Sequence, residues 1–225
     1  MNELEWLACE IPEMLVREYR VAPSARKQQL LAIACCRRIS HRLTPWPIAA
    51  RALDVAERFA EGTASAEEMT AELPAFLEER NRAVRNLGRA NPLEPLRCLF
   101  SSLEPSRYLF PELVGGEFSG APKSVRRVVA KKERREEFRA QSALLRDIFG
   151  SPFRSIVFAP EWRTDTVVLL SRGMYESRDF SAMPILADAL QEAGCDNEDV
   201  LNHCRDVAQV HVRGCWVLDH ILGKQ

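Results

Sequence analysis

The sequence predicts an all-α protein, and three observations carry that expectation. Apolar residues recur at helical spacings along most of the chain. Helix start and stop signals punctuate it at regular intervals. No run alternates apolar and polar residues over enough length to build a sheet. The expected architecture is a multi-helix, bundle-like domain with an irregular Pro/Gly-rich middle. It has an N-terminal helical part at 1–89, a loop region at 90–122 and a C-terminal helical part at 123–225. The two end parts are expected to pack together as one domain.

The elements follow in order. Ser24 is a capping residue for a helix running to about Arg42, with Leu30, Leu31, Ala34, Cys35 and Ile39 on one face. Thr44-Pro-Trp-Pro47 breaks the chain, and Pro47 suits the first turn of the next helix, which Gly62 ends. Ser65 followed by Glu68 is a capping-box pattern opening a third helix, which Pro74 must kink or restart before Leu87. Five prolines and three glycines then crowd residues 90–122. A charged helix follows from about Ser124 to Phe149, ended by Gly150. Thr164 or Asp165 caps the next, Pro184 starts another, and Gly194 suits its end. Asp196 is read as the cap of the helix carrying Val200, Leu201 and Cys204, and a last helix is expected from about His211 to Leu222. Ser155-Ile-Val-Phe-Ala159 has strand character, but one strand alone makes no stable sheet.

Composition excludes several classes. Charged residues make up 28% and the formal net charge is -1, so the whole surface is not built for nucleic acid or anionic lipid. No segment approaches the ~20 apolar residues a bilayer span needs. The acidic start Met1-Asn-Glu-Leu-Glu5 carries no secretory signal pattern. The seven cysteines are an odd count. In a chain expected to be cytoplasmic they read as reduced thiols.

The C-terminal stretch concentrates soft ligands. Cys195, His203, Cys204, His211, Cys215 and His220 all lie there. On a continuous helix His211 and Cys215, four apart, would share a face. With Cys195 and either His203 or Cys204 they make a candidate zinc set. The spacing is not a standard one and no C-x-x-C pair nucleates it. Free cysteine is commonly a buried small hydrophobe, so the reading preferred from sequence is core thiols with no cofactor, and zinc is the alternative.

Lys123–Arg139 holds eight Lys/Arg against three Glu. Arg126, Arg127, Lys131, Lys132, Arg134 and Arg135 are therefore candidate phosphate contacts for a nucleic acid, though such helices are commonly solvated faces laced with ion pairs. The glycine-rich 115–124 fails as a phosphate loop, because Ala121 and Pro122 intervene before Lys123. The pair joined at Gly194 has helix-turn-helix spacing, but Asp196, Glu198 and Asp199 would repel phosphates, so a packed hairpin is expected.

Two resemblances rest on particular residues. Arg205-Asp-Val-Ala-Gln-Val-His211 resembles the Arg/His element of HEPN-type ribonucleases. That likeness implies a metal-independent RNA-cleaving site, with His211 as general base and Arg205 on the scissile phosphate. Separately, Glu5-Trp-Leu-Ala-Cys9, Leu31-Ala-Ile-Ala-Cys-Cys-Arg-Arg38, Leu144-Leu-Arg-Asp-Ile-Phe-Gly150 and His211-Val-Arg-Gly-Cys-Trp-Val-Leu-Asp219 resemble a family of bacterial proteins with no assigned activity. It implies no cofactor or catalytic residue. The function expected from sequence is a non-catalytic helical scaffold that binds another protein. Phe100, Tyr108, Phe110 and Phe118 are its candidate contact residues.

Overall fold

A computed structural model describes residues 1–19, 23–87, 92–93, 95–96, 125–126, 129 and 131–224. Those residues are α-helical with short connections, and no strand occurs among them. None of their helices is long and apolar enough to cross a membrane. The chain divides into two compact units, Met1–Ser142 and Ala143–Gln225. The division falls within the helix that ends at Phe149. The Pro/Gly-rich stretch and Phe100, Tyr108, Phe110 and Phe118 lie outside the described residues, except for short pieces at 92–93 and 95–96.

In the first unit, α1 (Glu3–Ala8) opens with a capping box between Asn2 and Glu5, and α2 (Pro12–Val16) follows. Ser24 accepts from the Lys27 amide and starts α3 (Ala25–Arg38). The helix stops at Arg38, short of the expected Arg42, because Ile39 leaves helical geometry (φ -99°, ψ 15°). A single turn, α4 (Ser40–Leu43), then leads to α5 (Pro47–Ala60), with proline in its first turn as expected. The Ser65/Glu68 capping box opens α6 (Ala66–Ala71). Pro74 acts as a restart, sitting in the first turn of α7 (Leu73–Leu87), where its missing N–H is no loss. Helices α3 and α5 pack together, and Leu30, Leu31, Cys35, Ala49, Ala52 and Ala56 are buried. An Arg26–Glu61 ion pair at 2.9 Å ties their ends.

A 3-10 turn at Lys131–Glu133 precedes α8 (Arg134–Phe149). Glu133 and Glu137, on this charged stretch, pair with Arg42 and Arg38, and Arg139 pairs with Glu10.

The second unit contains α9 (Asp165–Ser177), α10 (Met183–Glu192), α11 (Glu198–Arg205) and α12 (Trp216–Leu222). Helices α10 and α11 pack as a hairpin, and α9 packs on both α10 and α12. Val167, Met174, Leu186, Leu190, Val200, Cys204, Val217 and Leu218 fill the shared interior. Fully burying one such aliphatic side chain is worth about 1.5–3 kcal/mol. The cap of α11 is Asn197, not Asp196: its side chain accepts from the Asp199 and Val200 amides. The last helix starts at Trp216, five residues later than the expected His211. Residues 206–215 form a loop instead, closed by a turn in which the Cys215 amide donates to the Val212 carbonyl at 3.0 Å. Gly214 takes φ +92° there, a conformation that β-branched or bulky residues resist.

Gly150 ends α8 with φ +70°, and an added Cβ would lie 3.3 Å from the Trp216 ring. Gly150→Ala is therefore expected to lose about 1–2 kcal/mol from the left-handed backbone alone, plus a contribution from displacing the indole. Equilibrium urea unfolding monitored by tryptophan emission checks this, and an unchanged midpoint would contradict it.

Candidate metal centre

Four ligating side chains of the second unit converge: Asp147, His203, His211 and Cys215. Asp147 comes from the last turn of α8, and His203 from the last turn of α11. His211 lies mid-loop, and Cys215 is the residue at which α12 begins. Their ligand atoms all lie within 4.8 Å of one another. His211 Nδ1 is 2.8 Å and His203 Nε2 3.3 Å from Asp147 Oδ1. Cys215 Sγ is 3.2 Å from His203 Nε2 and 4.0 Å from His211 Nδ1.

Local structure aims these groups. Asp206 caps its own loop by accepting from the Ala208 amide. Arg213 donates to the carbonyls of Tyr175 and Glu176 at the end of α9, pinning the loop to a rigid element. The Val212 amide donates to Asp147 Oδ2 at 2.9 Å, so the loop backbone itself orients the carboxylate. His203 Nδ1 accepts from the Trp216 indole N–H at 3.2 Å and lies 3.0 Å from the Gln209 amide nitrogen.

The centre is closed to solvent. The Asp147 and Cys215 side chains are fully buried, and those of His203 and His211 are 8% and 5% exposed. Burial alone would raise the Asp147 pKa, but hydrogen bonds from His203 and His211 outweigh it and hold the carboxyl below its usual range. Burial pushes His203 down, so its ring is neutral near neutral pH. Burial also pushes the Cys215 thiol well up, with the Asp147 charge acting in the same direction. His211 Nε2 is buried without a hydrogen-bond partner.

Of the five residues expected from sequence as ligands, the structure brings together His203, His211 and Cys215. Cys195 and Cys204 are buried in the core of the unit and stand outside the converging set. Burial, followed by the neighbouring Cys195 and Asp147, pushes the Cys204 thiol up to about 12. The fourth member, Asp147, was not singled out from sequence, because α8 reads there as a charged helix. Its signal was the apolar frame Leu144, Leu145, Ile148 and Phe149 around a lone acid. His211 and Cys215 share a site through the turn at Gly214, not through a helical face.

The remaining candidates separate. Arg205 is exposed at the end of α11 and donates to Gln191, whereas His211 is buried on Asp147. Arg126 is buried, pairs with Glu13 and lies 4.4 Å from the Phe138 ring centroid, which removes it from any phosphate-facing surface. Lys131, Arg134 and Arg135 are exposed, and Arg135 lies 3.6 Å from Glu10. Arg127 and the Lys132 side chain lie outside the described residues. No known protein family matches the chain, and no curated protein or solved structure is significantly similar to it.

Truncating Asp147 would strip a buried cluster of its anionic acceptor. Asp147→Ala is expected to lower stability by about 1–3 kcal/mol, the cost of leaving buried donors without their acceptor. A urea midpoint within experimental error of wild type would contradict the geometry. The depressed His203 pKa also fixes the sign of a pH effect. The folded state takes up a proton on this ring less readily than the unfolded chain, whose value is about 6.5. The stability this group contributes is present above that value and is lost as the pH falls below it. Chelator-treated protein is expected to melt at lower temperature at pH 5.5 than at pH 7.5, and a higher melting temperature at pH 5.5 would refute this.

Proposed function

We propose that the C-terminal unit is a zinc-binding module of a non-catalytic helical scaffold, with Asp147, His203, His211 and Cys215 as ligands. The single observation that carries this is the convergence of ligand atoms from four residues, Asp147 and Cys215 buried and His203 and His211 partly so. A tetrahedral zinc ion with bonds of about 2.0–2.3 Å requires ligand atoms roughly 3.3–3.8 Å apart. Four of the six pairs lie 2.8 to 4.0 Å apart, bracketing that interval, and all six lie within 4.8 Å. Two imidazoles, one thiolate and one carboxylate suit zinc better than magnesium or calcium, which take mainly oxygen ligands.

Charge supports the same choice. A divalent cation with one carboxylate, one thiolate and two neutral imidazoles is net neutral, as a buried site requires. The Cys215 thiol proton leaves to solvent when the ion binds. Four protein ligands in a closed interior leave no open position for substrate, which fits a structural site more than a catalytic one. The ion would join α8, α11, the 206–215 loop and the start of α12. A non-catalytic role also accords with the burial of Cys215, since a buried thiol held protonated is a poor nucleophile.

Elemental analysis of protein purified without chelator is the direct test. About one zinc per chain is expected, falling below about a tenth in Cys215→Ser paired with His211→Ala. Chelator is expected to lower the melting temperature of wild type and to leave that double variant unmoved. Protein that carries no zinc after reconstitution with zinc sulfate, and melts alike with and without chelator, removes the proposal. RNA cleavage that is abolished by Arg205→Ala would point instead to the ribonuclease reading.

A further inference from the structure

Building on the zinc site proposed above, we infer that Trp216 holds His203 in the tautomer that cannot ligate, so that an indole lowers the zinc affinity of the site. The indole N–H is a donor and never an acceptor. It points at His203 Nδ1 from 3.2 Å. Nδ1 therefore offers a lone pair there, and the neutral ring carries its proton on Nε2. That proton faces Asp147 Oδ1 at 3.3 Å and Cys215 Sγ at 3.2 Å. In this state the cluster is a closed hydrogen-bonded assembly around the Asp147 carboxylate.

Zinc needs the opposite arrangement. Of the two ring nitrogens, Nε2 faces the other ligands, so it must give up its proton to bind. The neutral ring then carries the proton on Nδ1, directed at the Trp216 N–H. Two donors would face each other at 3.2 Å, and the indole would lose its acceptor inside the core. A ligating histidine ordinarily donates its second N–H to an acceptor, and that pairing raises metal affinity. Trp216 supplies the wrong sign of partner.

Gln209 supplies the right one. Its amide nitrogen lies 3.0 Å from His203 Nδ1, and a half-turn of the amide group places the carbonyl oxygen in that position instead. Gln209 thus accepts from Nδ1–H in the zinc state, while Trp216 donates to Nδ1 in the zinc-free state. The two residues act in opposite directions on one nitrogen. Trp216 and Gln209 are positioning residues: both act on the ion only through His203.

The experiment compares zinc affinities by competition with a chromophoric chelator, and reads the His203 ring nitrogens by nitrogen-15 NMR. Trp216→Phe is expected to bind zinc about tenfold tighter than wild type, and Gln209→Leu about tenfold weaker. General loss of packing would weaken both, so opposite shifts are the signature. In zinc-free wild type, Nδ1 is expected to show the shift of an unprotonated nitrogen and Nε2 that of a protonated one, with the two exchanged on adding zinc. Trp216→Phe binding equal to or weaker than wild type overturns the inference, as does an Nδ1-protonated ring in the zinc-free protein. If Trp216→Phe does not fold, the wild-type NMR assignment decides alone. Wild type that takes up no zinc overturns the site itself, a result separate from a wrong ordering of the variants.

Discussion

One buried carboxylate organises the second unit. Asp147 sits at the end of α8 with no solvent contact, and an ionised carboxylate in that setting is tolerable only if its oxygens are fully engaged. The Val212 amide, His211 Nδ1 and His203 Nε2 meet that demand. The loop between α11 and α12 is consequently fixed by an acid more than fifty residues away in sequence. The three donors converge on one carboxylate, so the hydrogen-bonded cluster fixes the loop and the two helix ends around it.

Rigidity around the carboxylate comes from ordinary helix-end chemistry. Asn197 caps α11 and so fixes the axis along which His203 projects. Gly214 provides the left-handed turn that brings Cys215 to the head of α12. Arg213 covers the last carbonyls of α9 and stacks its guanidinium 5.5 Å from the Tyr175 ring centroid. Gly150 leaves space for the indole whose N–H reaches His203. Each is a small local interaction, worth on the order of 1 kcal/mol. Together they place four ligand atoms without help from a continuous helix.

Chemistry and burial pull against each other at this centre. A Cys–His–Asp grouping in an open cleft would suggest nucleophilic catalysis. Here the thiol is sealed and held protonated by burial, and neither histidine faces solvent appreciably. The same burial suits an ion held for structure. Two side-chain nitrogens, from the Trp216 indole and the Gln209 amide, lie within 3.2 Å of His203 Nδ1 and hold the ring in place.

The sequence by itself determined the helical class and most helix starts. Ser24, Pro47, the Ser65/Glu68 box, Thr164 and Pro184 act through contacts within one turn, so their effect is readable without a fold. It also singled out three members of the converging cluster, since His203, His211 and Cys215 stand out by composition alone. Ion pairs along α8 were visible in kind, but the burial of Arg126 was not, because it depends on Glu13 and Phe138 from other elements. Only tertiary structure decided that His211 and Cys215 meet through a loop, that Cys195 and Cys204 are packing, and that Asp147 completes the set. The physical reason is that a capping signal is local, whereas a ligand set is defined by which distant backbones the buried core brings within a few ångströms of one another.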